Sequence, residues 1–133
     1  MRVLLDTHIW LWWLTGADAL PVAQRDALDK LARRERPMLS AISLWEAQLL
    51  VSKRRLVPNE PFAPWIRRMA AADVVELVPM DVEVILALHL LPASFHGDPA
   101  DRLIVATARA HGLVLATHDK AIRRSRLATL WKR

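Results

Sequence analysis

The sequence predicts an α/β fold, a three-layer α/β/α sandwich around a central, mostly parallel sheet of four to five short strands. Three observations carry that prediction. Short, continuously apolar runs such as Val3-Leu4-Leu5 and Leu113-Val114-Leu115-Ala116 are what strands covered on both faces look like. The stretches between them suit helices, opened by capping residues and closed at Gly16 and Gly112. The order of strand, two helices and strand, repeated along the chain, is that of parallel strands joined by helical crossovers.

Taken in order, residues 2–6 read as a buried strand ending in Asp6, followed by a tryptophan-rich helix over 9–14 that Gly16 stops. Pro21 opens an amphipathic helix to Arg36 whose core face is expected to be Val22, Leu28 and Leu31. Residues 37–40 form a very short strand, and Ser40 caps a helix expected to reach Leu56. Pro58, Pro61 and Pro64 mark a linker before a short helix over 62–72, and residues 74–78 make the next strand. Asp81 starts an apolar helix to Leu90 with a structural role, His89 included, and residues 92–97 form a loop.

The stretch from His96 to Asp119 then organises the rest. Asp98-Pro99 is a helix start, because the carboxylate caps free N–H groups and proline fits the first helical position. Asp101 falls in the first turn, the helix interior from Leu103 to Ala110 is apolar or small on nearly every face, and Thr117-His118-Asp119 leaves the end of the strand that follows. A basic helix over 120–126 and an edge strand over 128–131 complete the chain.

At 133 residues the chain fits one domain, residues 1–133, long enough to bury about two thirds of its extended surface. Hydrophobic content of 53% excludes a disordered chain, and no apolar run approaches the roughly 20 residues of a membrane span. With no signal-peptide pattern either, the expected location is cytoplasmic and no membrane partner is expected. The chain has no cysteine, so any metal must be held by oxygen or imidazole, which favours a hard cation. Net charge is +5; if five of the 14 acids gather in one site, 19 basic residues face only nine acids elsewhere, a surface suited to a polyanion.

Four acids stand where such a fold brings groups together. Asp6 and Asp119 end strands, Asp101 opens a helix, and Glu46 lies on a helix face between Ile42, Leu49 and Leu50. A carboxylate among core residues needs a proton, a cationic side chain or a metal, and Lys53 is one structural partner within reach. Each aspartate alone could be a helix cap or a first-turn charge. Together they repel one another, and a divalent cation resolves that repulsion. Oxygen ligands suit Mg²⁺, with Mn²⁺ as a substitute, and the chemistry that follows is phosphodiester hydrolysis by activated water.

The motifs LLDTHIWLWWL, SAISLWEAQLL, GDPADRLIVATA and LATHD, in that order over essentially the whole chain, resemble the PIN-domain ribonucleases, specifically the VapC-type toxins of toxin–antitoxin pairs. The resemblance implies metal-dependent endonucleolytic cleavage of RNA, a homodimer, and a small antitoxin whose tail blocks the active-site groove. It places the acidic quartet on Asp6, Glu46, Asp101 and Asp119, with Asp98 either a further ligand or only a cap. Thr117 matches a hydroxyl residue beside the last acid. His8 and His118 are expected to support the acids, to touch RNA or to be structural, and Arg102 to anchor an acid or a phosphate. Lys53, Arg54 and Arg55 close their helix, where cations suit the dipole, and are candidates for binding RNA phosphates. Trp12 or Trp13 offers apolar surface to a dimer partner or the antitoxin, with at least one expected in the core.

Two other readings fit parts of the pattern. An aspartyl-phosphate phosphatase also puts acids at strand ends, but the haloacid-dehalogenase type wants a second aspartate where His8 stands. A catalytically silent RNA- or protein-binding module of the same fold would carry the same acids and arginines.

Overall fold

The structure is a computed structural model and describes residues 2–95 and 97–132. His96, in the expected loop, lies outside the described residues. Eleven elements follow in the order β1 (Val3–Leu5), α1 (Thr7–Thr15), α2 (Val22–Arg34), β2 (Met38–Ser40), α3 (Ala41–Ser52), α4 (Phe62–Met69), β3 (Glu76–Val78), α5 (Val82–His89), α6 (Pro99–His111), β4 (Val114–Ala116) and α7 (Lys120–Ser125). The strands form one sheet in the order β3-β2-β1-β4, and every pairing is parallel.

Strands of three residues suffice because both faces are covered. Side chains alternate along β1, so Val3 and Leu5 enter one apolar cluster with Ile9, Trp10, Leu28 and Trp65, while Leu4 enters a second with Val84, Ile104, Val105 and Ile122. The first cluster draws on α1, α2 and α4, the second on α5, α6 and α7, which gives the expected three layers. Trp10 is fully buried, and its indole N–H donates to the Met69 carbonyl at 2.9 Å, tying α1 to α4.

Local chemistry sets the ends. Gly16 and Gly112 adopt left-handed conformations, with φ of 71° and 62°, that close α1 and α6. Ser40 caps α3, whose end comes at Ser52 rather than Leu56, because the chain turns through Arg54 at φ 57°. Instead of an edge strand over 128–131, a single bridge joins Leu130 to Leu115.

One burial expectation is corrected. Val22 is 73% exposed, since it sits in the first turn of α2, and only Leu28 and Leu31 face the core. Helix α5 buries Val84 in the second apolar cluster but leaves Val82, Ile85 and Leu86 exposed, as are Leu90 just past its end and Leu77 and Met80 before it. Among the described residues, no helix is long and apolar enough to cross a membrane.

Candidate active site

At the carboxyl ends of the strands an open crevice of about 330 Å³ is lined by Asp6, Glu46, Asp98, Asp101 and Asp119, with His8, Trp12 and His118 on its walls. The five acids arrive from four places in the chain, Asp98 and Asp101 together from the start of α6, and three of them are helix caps. Asp6 caps α1, Asp98 caps α6 by accepting from the Asp101 amide at 2.8 Å, and Asp119 caps α7 by accepting from the Ile122 amide at 2.9 Å. The positive ends of these helices therefore meet where the carboxylates gather and offset part of their repulsion. Asp98 is exposed at the rim and acts as a cap here.

Asp6 is the most buried of the acids, 5% exposed, and both its oxygens are engaged. The Thr7 amide donates to Oδ1 at 2.8 Å and the Thr117 hydroxyl to Oδ2 at 2.6 Å. The same Thr117 oxygen accepts from the Asp119 amide at 3.0 Å, so one hydroxyl links two acids.

Glu46 is half-buried, and its partner is neither Lys53 nor the apolar core. The hydroxyl of the fully buried Thr7 donates to Glu46 Oε1, and Thr7 Oγ1 lies 2.8 Å from Ser43 Oγ. A hydroxyl has one proton to give, so Ser43 donates to Thr7 and Thr7 to Glu46. Sequence reading passed over Thr7 and Ser43; the signal was that each stands three residues from, or next to, an acid on a helix that faces the crevice.

Electrostatics marks the crevice as short of positive charge. Burial raises the pKa of Asp6 and Glu46, outweighing their hydrogen bonds from Thr117 and Thr7. Asp101 is pushed up to about 7, first by burial and then by the charges of Asp98, Asp6, Asp119 and Glu46. Among the described residues, no three of the acidic or imidazole side chains are set around one point as a ready-made cation site.

The flanking residues divide. Trp12 packs against both His8 and His118, at ring separations of 5.6 and 5.9 Å, and the His118 ring meets the Gln24 side chain. Arg102 is turned away from the acids; it donates to the Phe95 carbonyl at 2.6 Å and lies over the Phe95 ring. Lys53 and Arg55 line an adjoining groove of about 540 Å³ between α1 and α3 that shares His8, Trp12, Glu46 and Asp98 with the crevice, whereas exposed Arg54 stands outside it. Trp12 and Trp13 both pack against the first apolar cluster, and the Trp13 indole donates to Asp29.

A short parallel sheet between helical layers, with acids from strand ends and helix starts in one crevice, defines a PIN domain, and the PIN-domain family matches residues 3–126. The chain belongs to that family. Within it the chain stands among the VapC-type ribonucleases, the toxin halves of toxin–antitoxin pairs: it is 36% identical to Ribonuclease VapC22 of Mycobacterium tuberculosis over 135 residues, covering 97% of this chain and 98% of that one. Its fold is also similar to VapBC2 from Rickettsia felis bound to a promoter DNA fragment (TM-score 0.73, 20% identity, 98% of each chain). It is similar as well to DNA-bound VapBC from Salmonella typhimurium (TM-score 0.71, 16% identity, 98% of this chain and 97% of that one).

Proposed function

We propose that this crevice hydrolyses RNA phosphodiesters with an activated water, and that Asp6, Glu46, Asp101 and Asp119 hold the Mg²⁺ required, with Mn²⁺ as a substitute. The donor chemistry fits such an ion, since all four offer hard oxygen ligands and three have pKa values raised in its absence. Because no three of these groups already surround one point, binding involves side-chain rotation, with Asp98 a further ligand at the rim. Held by these carboxylates, such a cation would supply Lewis acidity, lowering the pKa of water and offsetting charge on the phosphate.

The chain's own groups supply the rest. Thr117 and the Thr7 amide fix Asp6, and the Ser43–Thr7 relay fixes Glu46. The helix N-termini at Asp6, Asp98 and Asp119 hold those carboxylates in place and offset part of their charge. His8 and His118, beside Trp12, are placed to touch RNA around the reacting bond, and Lys53, Arg54 and Arg55 to meet its phosphates.

The partners in this reading are RNA, a second copy of the chain and a cognate antitoxin whose tail lies along the groove between α1 and α3. The exposed face of α5 with Leu77 of edge strand β3 is the dimer surface, in place of Trp12 and Trp13.

The observation that carries the proposal is the convergence of five acids from four distant stretches of the sequence on one crevice. Its test is cleavage of a mixed cellular RNA pool by the purified protein with Mg²⁺, with Mn²⁺ and with EDTA. Metal-dependent cutting is expected; RNA binding without cutting under any of these conditions would assign the chain to the silent binding modules.

A further inference from the structure

A concavity larger than the acidic crevice lies outside it. It is a groove of about 830 Å³ between α2 and the C-terminal segment, lined by Lys30, Arg33, Arg34, Trp131 and Lys132, with Asp26 the single acid among its described lining residues. Lys30, Arg33, Arg34 and Lys132 are exposed, and none of them forms an ion pair among the described residues. Arg2, Arg36 and Arg68, by contrast, are paired with Glu76 or Glu60. Arg33 and Arg34 suit the carboxyl end of a helix, but the dipole does not account for Lys132, which comes from the opposite end of the chain.

A small pocket lies between the groove and the crevice. Trp131 lines the groove and also this pocket, with Gln24, Thr117 and His118, and His118 lines the crevice. From Gln24 in the first turn of α2 to Arg33 in the last, the helix rises about 14 Å. That is room for about four phosphates at the 3.4 Å rise of a stacked strand.

We propose that this groove is a docking track for the sugar-phosphate backbone of RNA flanking the cleaved bond. Lys30, Arg33, Arg34 and Lys132 pair with successive phosphates, and the accessible part of the Trp131 ring receives a base. The inference rests on the ribonuclease reading for the identity of its polyanion. Unpaired cations alone would suit an acidic protein segment equally; a track that holds an aromatic ring and leads to the crevice favours a nucleic acid strand.

The test compares the full-length protein with its Lys30→Gln/Arg33→Gln/Arg34→Gln variant, both in EDTA, by fluorescence anisotropy. The probes are a fluorescein-labelled, mixed-sequence single-stranded RNA long enough to span groove and crevice, and a labelled trinucleotide. The variant is expected to bind the long RNA about tenfold or more weakly, with the slope of log K against log salt shallower by about 2, and to bind the trinucleotide unchanged. Lys132→Glu, on the opposite wall, is expected to weaken the long RNA in the same way. With Mg²⁺ added, the variants should raise KM and leave kcat unchanged. Unaltered affinity and salt slope in both variants would overturn the proposal, as would equal weakening of the trinucleotide. So would tight binding of polyglutamate, abolished by the same substitutions while RNA binding persists. If the unaltered protein binds RNA and cuts none, the catalytic reading fails, and the anisotropy comparison still decides the groove.

Discussion

The Thr117 hydroxyl donates to Asp6 Oδ2 at 2.6 Å across 111 positions of sequence, while its oxygen accepts from the Asp119 amide. One side chain thus fixes a carboxylate at the end of β1 against the cap of α7. Thr117→Val keeps the shape and removes both bonds. With one charge-assisted bond lost, roughly 1.5–3 kcal/mol, cleavage should fall by about one to two orders of magnitude. Thr117→Ser should restore most of it. Equal rates for the Val variant and the unaltered protein would remove Thr117 from the positioning of Asp6.

Asp101 gives the crevice a pH signature. Its carboxyl, at about 7 in the metal-free protein, lies far above the ordinary 3.8, so the folded state holds this proton more tightly than the unfolded chain does. The stability this proton contributes is present in acid and lost as pH rises through about 7. In EDTA, Tm should therefore fall across that range, by an amount reduced by solvent screening because the group is only half-buried. If Mg²⁺ is held as proposed, it would take the proton's place, and the metal concentration needed for half-maximal cleavage should drop over the same range. Asp101→Asn should flatten the Tm profile in EDTA; an unchanged slope in that variant would place the titration elsewhere.

Much of this site was legible in the sequence because cap chemistry is local. Asp6, Asp98 and Asp119 stand at boundaries where an apolar run meets a helix, and the same geometry that makes an aspartate a cap brings it to the strand ends. What was not legible depends on how elements pack. Thr7 reads as an ordinary first-turn residue until α3 lies against α1 and sets Glu46 and Ser43 beside its hydroxyl. Arg102 lies next to Asp101 in sequence, yet its side chain reaches back to the loop carbonyl of Phe95. Val22 fits the apolar spacing of α2, but the spacing does not say which turns of the helix meet the core, and only Leu28 and Leu31 do. In α5 the apolar residues are too many for one face, and sequence alone does not separate those buried on α6 from those left outside.

Asp6→Asn should separate catalysis from stability. The buried carboxyl has a raised pKa, chiefly from burial, so its ionised form is unfavourable in the metal-free fold. Asparagine keeps an oxygen for the Thr7 amide and presents an NH₂ toward Thr117, whose oxygen can accept it. Cleavage should be abolished, while Tm in EDTA near neutral pH should stay level or rise. A Tm drop of several degrees would show that the charge itself maintains this end of the sheet, and lost activity could then not be credited to chemistry.

The apolar face of α5 makes a prediction about assembly. Val82 at 70% and Leu90 at 79% exposure, with Ile85 and Leu86 between them, leave this helix open to water along its outer side. A two-fold pairing would bury the same patch from both copies, each removed Å² of apolar surface contributing about 25 cal/mol before the cost of association. Light scattering should therefore find a dimer for the unaltered protein and a monomer for Ile85→Glu/Leu86→Glu. Both side chains are exposed, so the monomer should keep its fold by circular dichroism. Trp12→Ala, on the wall of the crevice, should remain dimeric. The reverse pattern, with the α5 variant still dimeric and the Trp12 variant monomeric, would move the interface to α1 and leave the exposed face of α5 without a partner in this assembly.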